Sequence, residues 1–215
     1  PHILGSYRAY LDTCTSWSSI KDHTKVFLSF GGIPIKNGQI SQGGTGNHYQ
    51  QKNIIEAAKS GIEFINVSPL KSDFIDEVKS EWIAARPNTD TALMLGIAHT
   101  LHVEGLSNKE FLKKYTEGFE KFLPYLLGEI DGIKKDANWA AEICNISPEK
   151  IKELAHKLSS KRSMISVSWS LTRQDHGEQP FWMAIMLASM IGQIGLPGGG
   201  FGFGYSATNF IGGQF

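Results

Sequence analysis

Lys36, Ser68, Asp90, Ser170 and Arg173 are the side chains in this sequence best suited to work on a phosphorylated ligand. Lysine and arginine neutralise phosphate, and arginine does so with a bidentate fork. The two serines can bond hydroxyls or phosphate oxygens. Asp90 stands where a helix should start. A carboxylate there either caps backbone N–H groups or accepts two N–H bonds from a guanine edge. Each of these residues follows a short apolar run: Lys36-Asn37, Val67-Ser68, Asn88-Thr89-Asp90, and Trp169-Ser170 with Arg173. Trp169 is either a rim contact or a core aromatic, and Lys36 either a ligand contact or a solvated loop lysine. Other motifs are weaker. Gly43-Gly44-Thr45-Gly46 precedes a helix but does not match G-x-G-x-x-G and lies well past its strand. His176 and Glu178 are two apart with no third metal ligand nearby, and no Ser/His/Asp set can be argued from spacing.

The elements that must position these groups read as an alternating α/β chain. Val26–Phe30 is a continuous apolar run closed by Gly31-Gly32, as in a buried parallel strand. A helix over 47–59, a strand over 62–67, a short helix from Ser72 to Val78 and a strand at 82–85 follow. A strong helix then starts at Thr89 or Asp90 and ends at Gly105. The spacing predicts helix over 107–127, a short helix at 138–144, and a helix capped by Ser147 with Pro148 at its first position. The stretch 163–204 gives a strand, a polar rim, an apolar helix over 178–194 and a glycine-rich loop able to approach a ligand closely. Strands alternating with helices imply a parallel sheet covered on both faces, whose ligands sit at the carboxyl ends of strands. The expected fold is therefore a Rossmann-like, three-layer α/β parallel-sheet domain with added helices. Its expected extent is 25–200, after an irregular lead-in at 1–24 and before a glycine-rich tail at 201–215.

Bulk composition narrows the function classes. The chain has 215 residues, 21 basic and 21 acidic, so no charge imbalance points to nucleic acid or an anionic membrane. The longest apolar run, near 182–194, is broken by Ser189 and Gly192 and is too short to span a bilayer. The only cysteines, Cys14 and Cys144, lie far apart and form no C-x-x-C, so the reading is two buried thiols and no zinc or iron–sulfur site. No basic-then-apolar leader pattern precedes the fold, and the chain starts at Pro1 and stops at Gly212-Gly213-Gln214-Phe215, as expected of a piece of something longer.

Three segments then resemble a known family. Arg86-Pro87-Asn88-Thr89-Asp90-Thr91-Ala92-Leu93-Met94-Leu95-Gly96 is similar to the guanine-dinucleotide segment of molybdopterin oxidoreductases. Trp169-Ser170-Leu171-Thr172-Arg173-Gln174-Asp175-His176-Gly177 and Gly192-Gln193-Ile194-Gly195-Leu196-Pro197-Gly198-Gly199-Gly200 resemble the dimethyl sulfoxide, trimethylamine N-oxide and biotin sulfoxide reductase branch. Pro34-Ile35-Lys36-Asn37 and Trp139-Ala140-Ala141-Glu142-Ile143-Cys144 fit as well, so the likeness covers nearly the whole chain.

The resemblance implies a bis(molybdopterin guanine dinucleotide) cofactor with one molybdenum, and oxygen-atom transfer from a small S- or N-oxide to that metal. It implies an electron donor such as a c-type cytochrome or a reduced carrier, and a periplasmic setting, with a cytoplasmic one as the alternative, since the branch includes both. Lys36, Asn37, Val67, Ser68, Asn88, Thr89, Asp90, Trp169, Ser170 and Arg173 would contact the dinucleotide, with Asp90 reading guanine. The metal-ligating serine and the substrate-facing aromatics of the family would precede Pro1, leaving no catalytic or metal-ligating residue in this stretch, which alone should not turn over. Where Ser68 stands, relatives usually carry Asp or Asn, better partners for ribose hydroxyls. A formate- or nitrate-type oxidoreductase and a non-catalytic nucleotide-binding module are the alternatives.

Overall fold

The computed structural model describes residues 3, 5–6, 14–39, 47–205, 207 and 211–213. Its centre is a five-stranded, all-parallel sheet in the order β3-β2-β1-β4-β5. The strands are β1 (Val26–Phe30), β2 (Glu63–Val67), β3 (Ser80–Ile83), β4 (Ser163–Val167) and β5 (Gly200–Phe203). β1 lies in the middle, paired on one side with β2 and on the other with β4, and all its residues are buried. That is why Val-Phe-Leu-Ser-Phe reads as an unbroken apolar run rather than an alternating one.

The helices are α1 (Trp17–His23), α2 (Gln50–Lys59), α3 (Asp90–Val103), α4 (Lys109–Tyr115), α5 (Phe119–Leu126), α6 (Ala137–Cys144), α7 (Pro148–Ser160) and α8 (Gln179–Met190). They cover the two faces unequally. Val26, Leu28 and Phe30 of β1 pack with apolar residues of α3 to α8, whereas Phe27 packs with Trp17 and Ile20 of α1 and Ile54 and Ala57 of α2. α3 lies against α6, α7 and α8, and nearly all of its residues from Ala92 to Leu101 are buried. Gly96 makes that approach possible: a Cβ there would lie 2.7 Å from Cβ of Ala140 and 3.1 Å from Cγ2 of Ile151.

Several expectations are met locally. Ser147 caps α7 by accepting the Lys150 N–H, with Pro148 in the first turn. Others are corrected. The lead-in contains α1, whose N-terminus is capped by Ser16 accepting the Ser19 N–H at 3.2 Å. The glycine-rich tail begins as β5, and Tyr205 and Gly212 then close over α1. The rings of Trp17 and Tyr205 meet edge to face at 5.4 Å, and the Trp17 N–H donates to Gly212 O at 2.8 Å. The helix expected over 107–127 is broken between α4 and α5, where Gly118 adopts φ 88°. From Ser72 to Val78 there is only a single 3-10 turn at Lys71–Asp73, not a helix. Cys144 is buried, but Cys14 is only half-buried, its thiol donating to Phe203 O at 3.9 Å, so only one of the two is the buried thiol expected. Among the described residues no helix is long and apolar enough to cross a membrane.

The α3–α6–α7 contact carries a quantitative consequence. Gly96→Val overfills it and is expected to cost about 1–3 kcal/mol. A lowered urea midpoint with an unchanged slope is the expected result, and an unchanged midpoint would show that the helices can separate freely there.

Candidate cofactor-binding site

Because every strand runs the same way, the segments that follow them leave one edge of the sheet. The segments after β1, β2, β3 and β4 carry Lys36-Asn37, Ser68, Asn88-Thr89-Asp90 and Trp169-Ser170-Arg173. The strand order reverses between β1 and β4, the kind of switch point at which ligands enter open α/β sheets. There the two loops touch. Gly31 has φ 80°, and a Cβ on it would lie 2.8 Å from Ser168 Cβ and 3.1 Å from Ser170 Oγ. The Ser168 N–H donates to Phe30 O at 2.8 Å and the Gly31 N–H to Val67 O at 2.8 Å, so three strand ends are stitched together.

Eight of the ten predicted residues fall into two groups, and Asp90 and Trp169 stand half-buried between them. Lys36, Asn37, Asn88, Ser170 and Arg173 are exposed on this edge, and neither cation is drawn into an ion pair among the described residues. Lys36 and Asn37 ride on a 3-10 turn, Ile35–Gln39. Asn88 holds φ 63°, which turns the chain into α3. Val67, Ser68 and Thr89, by contrast, are taken up internally. Val67 is fully buried in the core and offers its carbonyl to Gly31. Ser68 is 1% exposed, and its hydroxyl donates to Asp73 Oδ2 at 2.5 Å. Thr89 donates its hydroxyl to Arg86 O at 2.6 Å and so closes the turn before α3.

Asp90 is the first residue of α3, where Thr89 gives no side-chain cap. Burial pushes its carboxyl up to about 6, opposed only by its own backbone N–H, and it makes no ion pair among the described residues. Trp169 packs on Phe203 with ring centroids 6.0 Å apart, yet its indole N–H is buried without a partner. Asn66, one residue before the end of β2, is 0% exposed and neither atom of its amide is bonded. It shares a rung of the sheet with Ser29 of β1 and Ser166 of β4, giving a buried polar row just beneath the edge. Buried polar groups without partners are rare in folded proteins. An orphaned indole donor, an orphaned amide and a carboxylate without an ion pair among the described residues, on the same edge of the sheet as the exposed Lys36 and Arg173, form a donor and acceptor set that fits a phosphate- and base-bearing group.

Sequence reasoning did not find Ser29, Gly31, Asn66 or Asp73. The available signal was a polar residue inside an apolar strand run, one place before its end. It also misplaced the glycine-rich loop. Gly198 packs against His23 and Thr24 and accepts the Thr24 hydroxyl at 2.5 Å, just before β1 begins. That loop therefore sits at the amino edge of the sheet, and only Gly204, beside the Trp169 indole, reaches the carboxyl edge. Gly43-Gly44-Thr45-Gly46 lies outside the described residues. His176 is exposed at φ 53°, 3.7 Å from Glu178, and among the described residues no group of three or more His, Cys, Asp or Glu is placed to hold a metal ion.

Comparison with known proteins places the chain in a family. The family pattern described as Molybdopterin oxidoreductase matches residues 8–212. The chain is 45% identical over 214 residues to a biotin sulfoxide reductase of Cereibacter sphaeroides, covering 100% of this chain and 29% of the relative. It is 45% identical to a trimethylamine-N-oxide reductase of Haemophilus influenzae, covering 97% of this chain and 25% of that protein. It is 43% identical to a dimethyl sulfoxide/trimethylamine N-oxide reductase of Rhodobacter capsulatus, covering 95% and 25% respectively. Among solved structures, acetylene hydratase from Pelobacter acetylenicus superposes with a TM-score of 0.62 at 21% identity, covering 83% of this chain and 22% of that one, which supports the fold alone. The chain thus spans between a quarter and a third of the length of the curated relatives it matches. With the family pattern running from the first helix through the last strand, the chain belongs to the molybdopterin oxidoreductase family.

Proposed function

We propose that this chain is the part of a molybdenum S- or N-oxide reductase that holds the guanine end of a molybdopterin guanine dinucleotide. The relatives named above, reductases of biotin sulfoxide, trimethylamine N-oxide and dimethyl sulfoxide, support the reaction class. The guanine assignment rests on one observation: Asp90 stands half-buried as the first residue of α3, with no side-chain cap from Thr89 and no ion pair among the described residues, and burial raises its carboxyl accordingly. A guanine edge offers two N–H donors to such a carboxylate, and those bonds would favour its charged form.

Each part of the edge then has a task. Asp90 orients the base. Lys36 and Arg173 neutralise the diphosphate, and Ser170 adds a hydroxyl beside the β1–β4 switch. Asn88 turns the backbone so that α3 begins at the base. Trp169 supplies a ring face and a free indole N–H. When bound, the molybdenum supplies the oxygen-atom and electron chemistry, while the polypeptide supplies position and field. The periplasmic setting and a c-type cytochrome or reduced carrier as electron donor rest on the family resemblance alone.

Two outcomes check the role of Asp90. In the full-length protein, Asp90→Ala should lower molybdenum and guanine nucleotide content together by about tenfold or more, on the basis of about 1.5–3 kcal/mol for a bond to a charged group. Metal analysis and acid-extracted nucleotide measure this, and full occupancy in the variant would remove Asp90 from base recognition. The second outcome concerns pH. The folded-state value of about 6 lies above the ordinary 3.8, so between those values the folded protein holds more proton than the unfolded chain. Stability of the apo protein should therefore fall as pH rises through that window. Asp90→Asn should flatten that fall and raise the urea midpoint at neutral pH. An identical pH profile in the variant would mean that the carboxyl is not strained by burial.

A further inference from the structure

In a parallel sheet of this order, an acidic side chain at the end of the strand beside the central one meets the ribose hydroxyls of a bound nucleotide. At that position β2 is followed by Ser68, which is neutral and 1% exposed. The turn that replaces the expected helix brings Asp73 back onto it, and the Ser68 hydroxyl donates to Asp73 Oδ2 at 2.5 Å. Asp73 is also fixed from β1: the Ile33 N–H donates to its carbonyl at 2.8 Å, and it packs on Gly32, where φ is 74° and a Cβ would come within 2.6 Å of Asp73 Cβ. β3 steadies Ser68, since the Trp82 indole N–H donates to Ser68 O at 2.8 Å and the Ser68 N–H donates to Ile83 O at 3.1 Å. Three strands thus hold one half-buried carboxylate at the rim. Among the described residues its Oδ1 has no hydrogen bond or ion pair.

We propose that Asp73, tethered by Ser68, is the carboxylate that binds the ribose hydroxyls of the nucleotide. The assignment rests on the nucleotide reading above and adds a residue to it. Oδ2 is occupied by Ser68, which leaves Oδ1 to accept a ribose O–H, a charge-assisted bond. The order along the edge suits this. Asp90 follows β3, Asp73 follows β2, and Lys36 follows β1, so base, ribose and diphosphate partners come in sequence at about one strand spacing, ~4.8 Å, each. Ser68 acts through Asp73 and is a positioning residue.

The test uses the full-length apo protein titrated with GDP and with 2′,3′-dideoxy-GDP. The wild type should prefer GDP by about tenfold or more. Asp73→Asn keeps the size and shape of the side chain and should abolish that preference, while a Ser68→Asp/Asp73→Asn double variant should restore it by placing the acid at the strand end. Ser68→Ala leaves the carboxylate untethered and should shrink the preference severalfold, and full preference there would remove Ser68 from the assignment. An unchanged preference in Asp73→Asn, or equal wild-type affinities for the two nucleotides, would overturn it while leaving the nucleotide reading standing. A wild type that binds neither nucleotide would overturn that reading and this assignment together.

Discussion

Parallel pairing of β1 with both of its neighbours is the constraint from which the rest follows. Val26–Phe30 aligns residue for residue with 63–67 on one side and 163–167 on the other. With all strands running one way, each must return across a helical face, and every departing segment leaves by the same edge. Residues scattered from Lys36 to Arg173 therefore share one rim without any direct bond between them. The same pairing buries β1 on both faces, which makes the sheet rigid enough to hold loops that carry unsatisfied groups.

Those groups have an energetic cost. An unbonded amide at Asn66, an unbonded indole N–H at Trp169 and a partly buried, uncompensated carboxylate at Asp90 all oppose folding. They lie at or just beneath the carboxyl edge, and the apolar core on either face offsets them. A rim that gains stability when donors and acceptors arrive is what a tightly held cofactor requires, since a ligand that binds only the folded state stabilises it. The Ser68–Asp73 pair is the opposite case: it is already bonded within the protein and so is organised before any ligand arrives.

Much of this was legible in the residues, for identifiable reasons. Continuous apolar runs gave β1, β2 and β4 because parallel strands buried on both sides need no alternation. Ser147-Pro148 announced α7 because capping is local chemistry. What failed depended on contacts distant in sequence. β5 is Gly-Phe-Gly-Phe, weak as a strand in isolation, and is held by pairing with β4. α1 is short and is stabilised by Trp17 packing on Phe27 and Tyr205. Glycines at 198–200 resembled a ligand loop, but their small size serves contacts with α1 and Gln193 at the far edge. Of the site, the positions at strand ends were readable. Which of them face outward was not, because Ser68 and Thr89 are claimed by Asp73 and Arg86 through turns that no periodicity reveals.

The proposed grip of one sheet edge on a guanine dinucleotide, with the base at α3, is open to one decisive measurement. A crystal structure of the full-length protein carrying its cofactor measures that directly. The expected result is a dinucleotide lying along the carboxyl ends of β3, β2, β1 and β4, with the guanine edge within hydrogen-bonding distance of the Asp90 carboxylate. A cofactor bound with its guanine away from α3, or at the amino edge near Gly198, would contradict it.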